Sequence, residues 1–243
     1  MNLVIDIGNT ATKLAIFESD ELIEKRQVKS LDAEKLKKIL SEYGQIKNSI
    51  ICSVTHHPIE IEEILIDKSN FINFSFETRI PIKNSYLTPQ TLGKDRLAAA
   101  IGANEIFPNQ NVLCIDVGTC IKYDFLNAEN EYLGGAISPG IVMRFKSLKQ
   151  FTDKLPLITF SNDETKLIGR NTEESIRSGV QLGVIAEINY TIENYHSIFS
   201  ELRIVLTGGG SSELQKHLKK DIFASPNLIL KGLNKVLTIN FSA

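Results

Sequence analysis

Two short stretches set a carboxylate beside a glycine at the end of an apolar run: VIDIGNT around Asp6 and CIDVGT around Asp116. A strand that ends in Asp and turns through Gly presents its carboxylate next to backbone N–H groups, and a following Asn or Thr adds a short polar side chain. That combination suits a metal-bound phosphate. The glycine admits close approach, the amides and hydroxyl bind phosphate oxygens, and the carboxylate holds Mg2+ or a bridging water. Either turn alone also reads as an ordinary hairpin turn, which favours the same residue types. Their recurrence at the head of each half of a 243-residue chain points instead to two related halves gripping one phosphate tail.

The surrounding pattern supplies elements to position such turns. After Asp6, KLAIF and ELIEKRQV complete a meander of three antiparallel strands. Ser30 and Asp32 then precede Leu36, Ile39, Leu40 and Tyr43 at helical spacing before Gly44, which reads as a capped helix with a glycine stop. NSIICSV is a strand, Pro58 opens a helix carrying Ile61, Ile64 and Leu65, and FINFSF is a further strand before a polar loop around Pro81, Asn84 and Pro89. A helix from Leu97 to Phe107 leads to Pro108-Asn109-Gln110, a domain boundary that divides the chain into 1–108 and 109–243. The second half repeats the strand-first order with NVLCIDVGT, IKYDFL and EYLGGAI. Asn171 followed by Glu174 resembles a capping box and opens a long helix through Ile176, Val180, Val184, Ile188, Ile192 and Tyr195. RIVLTGGG is a buried strand running into three glycines.

Composition narrows the chemistry. With 27 Lys+Arg against 29 Asp+Glu the net charge is −2, and no basic run stands out, so nucleic acid and anionic membranes are not expected partners. Cys52, Cys114 and Cys120 form no Cys-x-x-Cys and lie in or beside apolar runs, as reduced thiols do. No apolar run approaches ~18 residues and no basic leader precedes the first strand, so a cytoplasmic protein is expected. His56 and His57 read as part of a solvated turn, lacking carboxylate or cysteine partners at ligand spacing.

The paired turns resemble the acetate kinase, sugar kinase, Hsp70 and actin superfamily, and LTGGG fits its adenosine-side loop. The resemblance implies an α/β fold of two similar ribonuclease H-like domains of the actin-like ATPase type, each a mixed sheet flanked by helices. Within it, DIGNT, GKDR, DVGT, GGAISPG and GRNTEES occur in the order of a type III pantothenate kinase. The similarity spans essentially the whole chain and implies transfer of phosphate from ATP to pantothenate, giving 4'-phosphopantothenate for coenzyme A. A ROK-like sugar kinase shares the fold, but its cysteine-rich zinc segment is missing. Actin- or Hsp70-like ATPases are much longer, and a regulatory role through DNA lacks a DNA-binding motif.

By this resemblance Asp95 is the general base, and Tyr86, Gly93, Lys94, Asp95, Arg96 and Thr172 bind pantothenate, with Arg96 offering a forked donor to its carboxylate. Taken alone, an Asp-Arg pair at a helix start is a cap and a surface ion pair. Asp6, Ile7, Gly8, Asn9, Thr10, Ala11, Thr12 and Lys13 form the first ATP-binding segment, Asp6 holding Mg2+ directly or through water. Thr119 contacts phosphate from the second turn. Asp116 is implied to bind a monovalent cation, K+ or NH4+, and the family implies a homodimer, to which Gly179 and Gly183 add room for close packing. One departure stands out: after Asp116-Val117-Gly118-Thr119 this chain has Cys120 and Lys122 where relatives carry a small residue and a threonine. On a strand, Cys120, Lys122 and Asp124 share one face, so the ammonium either pairs away from the turn or reaches back to Asp116.

Overall fold

The N-terminal meander of three antiparallel strands forms as expected, its outer strand alternating between half-buried and exposed residues. In a computed structural model, which describes residues 1–44, 46–218 and 221–241, β1 (Asn2–Ile7) pairs antiparallel with β2 (Thr12–Glu18), and β2 with β3 (Glu21–Val28). Parallel strands β4 (Asn48–Ser53) and β5 (Asn70–Asn73) extend the sheet to the order β3-β2-β1-β4-β5. Parallel pairing requires crossovers, which α1 (Ala33–Glu42) and α2 (Ile59–Lys68) provide. Leu36, Ile39, Ile61 and Leu65 on these helices bury against Leu3, Ile5, Leu14 and Ile16. Asp32 caps α1, its carboxylate accepting from the Lys35 amide at 2.9 Å. The expected glycine stop is replaced by Tyr43, whose N–H bonds the Ile39 carbonyl, and Gly44 is not left-handed. The strand expected over FINFSF ends at Asn73, after which the Phe74 N–H still reaches Ile51 and the ring is buried.

The chain groups into two compact units: Met1–Asn109, Leu126–Gly134 and Asn227–Ala243 in the first, Gln110–Phe125 and Gly135–Pro226 in the second. Within the first, the polar loop contains a short strand, β6 (Lys83–Asn84). The alanine-rich α3 (Lys94–Ile106) begins ahead of Leu97, so Asp95 and Arg96 lie in its first turn. Packed against α3 is α8 (Leu228–Phe241). A Cβ on Gly102 would meet the Leu228 carbonyl at 2.3 Å, and one on Gly232 the Ala98 carbonyl at 2.0 Å, so two glycines set how closely these helices approach.

The second sheet follows the order β11-β10-β7-β8-β9-β6, with β7 (Val112–Val117), β8 (Cys120–Leu126), β9 (Glu131–Pro139), β10 (Arg203–Thr207) and β11 (Ile222–Ala224). Gly140 leads into α4 (Ile141–Gln150), a helix the sequence reading did not name. The long helix expected from Asn171 is present as α5 (Thr172–Arg177), a π-helical segment over Ser178–Leu182, and α6 (Gly183–Ile198). The Asn171 side chain accepts from the Glu174 amide at 2.8 Å, while Glu174 answers to the amide of Arg170 instead of that of Asn171. Ile176, Val180, Val184, Ile188 and Ile192 pack on Leu113, Ile115, Tyr123 and Leu206. A short α7 (Ser211–Gln215) follows the glycines after β10. The fold is α/β, two mixed sheets flanked by helices.

Candidate active-site segments

In the first unit, Asp6 stands at the end of β1 and is 6% exposed. The strand register places it opposite Lys13, and Ile7 opposite Thr12. Ile7 and Thr12 are buried and brace the hairpin, whereas Asn9 and Thr10 are exposed and Gly8, Ala11 and Lys13 half-buried. One bond, from the Gly8 N–H to the Ala11 carbonyl at 3.1 Å, closes the loop. The exposed residues therefore carry amides and short polar groups beside a nearly buried carboxylate, a donor set that fits a metal-bound phosphate.

The start of α3 gathers the second group. Gly93 is the N-cap residue, and a Cβ there would sit 2.8 Å from Asp95 Oδ1, so glycine lets that carboxylate fold back over the helix start. Asp95 Oδ1 accepts from the Arg96 amide at 2.9 Å. Arg96 is buried, its guanidinium carbon 5.7 Å from the centroid of the Tyr86 ring. Tyr86 in turn lies edge-on to Gly134, whose φ of 108° and missing Cβ leave room for the ring. Tyr86, Gly93, Asp95 and Arg96 thus form one cluster, with Lys94 half-buried beside it. The Arg96–Tyr86 contact and the part of Gly134 carry no sequence signal beyond the glycine itself, because loop and strand meet only through tertiary packing.

In the second unit, Asp116 is the penultimate residue of β7 and is likewise 6% exposed. Lys122 Nζ lies 2.6 Å from its Oδ2, the two side chains being 15% and 8% exposed. The ammonium therefore reaches back to the turn and does not point away. Gly208, at φ 94°, packs on the same carboxylate: a Cβ there would fall 2.5 Å from Asp116 Oδ1 and 2.4 Å from the Val117 carbonyl. The Gly210 N–H bonds that carbonyl at 3.0 Å, and the Gly140 N–H bonds the Thr119 carbonyl at 3.1 Å. The glycines of LTGGG and of GGAISPG thus serve to seat two loops on the Asp116 turn, while Thr119 stays exposed.

Thr172 opens α5 on the wall of a groove of about 750 Å3 that Arg144, Ser147, Asn171 and Ser175 also line. Behind it, Glu187 accepts from Tyr123, Ser138 and Arg144. Burial favours the neutral form of Glu187, but the hydrogen bonds from Arg144, Tyr123 and Ser138 outweigh it and lower its pKa. Burial pushes the Cys114 thiol well up, as for an inert core thiol. His57 departs from the expected solvated turn: its Nε2 lies 2.9 Å from Glu62, five residues on along the first turn of α2. No group of three or more potential metal ligands occurs among the described residues.

Solved structures similar in fold include a Campylobacter jejuni protein described as a Baf family transcriptional activator, at TM-score 0.64, 21% identity and 98% coverage of both chains. A ROK family glucokinase from Streptomyces griseus aligns at TM-score 0.52 and 14% identity over 98% of each chain. These define the class: a fold shared with a ROK family glucokinase. Within that class the chain belongs to the type III pantothenate kinase family, whose profile matches residues 2–194. Type III pantothenate kinases of Christiangramia forsetii and Phocaeicola vulgatus are 45% and 44% identical over 241 residues, covering 99% of each chain. No helix among the described residues is long and apolar enough to cross a membrane.

Proposed function

We infer that this chain phosphorylates pantothenate with ATP to 4'-phosphopantothenate, the first step of coenzyme A biosynthesis. Membership of the family over nearly its full length is the observation that carries this. ATP and pantothenate are the substrates, and the reaction uses a divalent metal, as kinases of this kind do.

The finer assignments are proposals. Asp95 takes the proton from the attacking hydroxyl, and its position over the first turn of α3, tied to the Arg96 amide, supports a fixed orientation. Arg96, buried and stacked near Tyr86, presents its fork to the substrate carboxylate, with Gly93, Lys94 and Thr172 completing the pocket. The exposed amides of Gly8 to Ala11 with Asn9, Thr10 and Lys13, and Thr119 from the other turn, hold the phosphates. Asp6 would hold Mg2+, which neutralises phosphate charge when bound. The resemblance also implies K+ at Asp116, but the residues present do not fit it, since Lys122 already occupies that carboxylate. Domains divided at 108/109, a homodimer and a cytoplasmic location complete the reading. A Cβ at Gly179 or Gly183 would meet nothing within 4 Å, which leaves that helix face open for a second copy.

The test is incubation with ATP, Mg2+ and pantothenate, with product identified by mass spectrometry. A phosphorylated product that depends on pantothenate is expected. Phosphorylation of hexoses with none of pantothenate would overturn the reading in favour of a sugar kinase.

A further inference from the structure

Lys122 lies on β8 between Ile121 and Tyr123, both buried in the core, so alternation turns its side chain to the opposite face, where the Asp116 turn lies. There its ammonium sits 2.6 Å from Asp116 Oδ2, largely screened from water. Gly208 closes on the other carboxylate oxygen, and Gly140 on the turn itself, where a Cβ would come 2.3 Å from the Gly118 carbonyl. The carboxylate is thus covered on one oxygen by the Gly208 loop and neutralised on the other by a charge the chain supplies. An ammonium and a K+ ion each bring one positive charge to an oxygen ligand, but the tethered one is present at high effective concentration and pays no entropy of capture. A free cation could bind Asp116 Oδ2 only by displacing the Lys122 ammonium from it, breaking an ion pair screened from water.

We propose that Lys122 acts as a built-in monovalent cation at Asp116, so that the enzyme neither binds nor requires K+ or NH4+ there. For turnover this rests on the kinase reading above; for binding it stands on the ion pair alone.

Two measurements on the full chain test it. In the first, thallous ion, a K+ mimic, is titrated in and followed by 205Tl NMR, with K+ as competitor. Wild type shows no saturable, K+-displaceable binding, and Lys122→Thr gains it. Saturable binding to wild type that Asp116→Asn abolishes would overturn the proposal. In the second, turnover is assayed with tetramethylammonium as the only monovalent cation and K+ is added. Wild-type kcat changes by less than about twofold, whereas Lys122→Thr is activated about tenfold or more by K+. Activation of wild type by about tenfold overturns the proposal even if the variant fails to fold. Absence of any turnover on pantothenate would sink the functional reading instead, and the thallium titration would still decide this one.

Discussion

The two Asp-x-Gly turns share residue types and differ in what surrounds their carboxylates. The loop after Asp6 is the longer, Gly8–Ala11, closed by a single backbone bond and exposing Asn9 and Thr10. The loop after Asp116 is only Gly118-Thr119, tied from Gly118 N–H to the Cys120 carbonyl at 2.9 Å, with a lysine on its carboxylate and two glycine-bearing loops pressed onto it. A further contrast lies in the glycines. A Cβ on Gly8 would come no nearer than 3.3 Å to other atoms and one on Gly118 no nearer than 3.7 Å, whereas Gly140 and Gly208 are required by contacts under 3 Å. The fold therefore demands glycine around the Asp116 turn and not within either turn. That leaves close approach by a ligand as the use we propose for Gly8 and Gly118.

The largest effect is expected outside both turns and sets the scale for them. Asp95→Asn keeps the acceptor for the Arg96 amide, so its melting temperature stays near wild type while kcat falls by roughly 10² to 10⁴. Near-normal turnover would remove Asp95 from the chemistry. Next, the same change at each turn separates them: Asp6→Asn lowers kcat/KM for ATP by about 10² to 10³ with little change in melting. Asp116→Asn weakens the Lys122 ion pair and costs about 1 to 3 kcal/mol of stability by denaturant titration. If Asp116→Asn melts like wild type, the comparison fails on its structural side. Arg96→Lys raises KM for pantothenate about tenfold and KM for ATP hardly at all, because a point charge replaces a fork. A selective ATP defect would move Arg96 to the nucleotide. The smallest effect is on folding: Gly8→Ala and Gly118→Ala each shift stability by less than about 1 kcal/mol while raising KM for ATP. Loss of stability without a change in KM would make them ordinary turn glycines.

Much of this was legible in the residues. An apolar run announced β1, weak alternation and turn residues announced β2 and β3, and Asp32 and Asn171 announced the helices that they cap, because these signals are local. The kinase family was legible from the ordered motifs and is borne out by the profile match. Less was visible where tertiary context decides. β6 has only two residues and exists through its pairing with β9. The division at 108/109 follows the repeated motif, whereas compactness places 126–134 and 227–243 with the N-terminal residues, a grouping no local pattern encodes. Whether Lys122 faced Asp116 was left open by spacing, because alternation fixes the face it takes but not what lies across it.

The seam between α3 and α8 has a bearing on how the protein is made. The two helices touch through Gly102 and Gly232, and the Asn2 side-chain amide at the start of β1 donates to Asn234 Oδ1 at 2.8 Å, 232 positions later. During synthesis the first sheet emerges early, yet the apolar side of α3 stays uncovered until Leu228 to Leu237 have left the ribosome. Such long-range closure slows folding and exposes an adhesive face in the nascent chain. A nascent-chain arrest at residue 226 should therefore recruit chaperones that release once α8 is added.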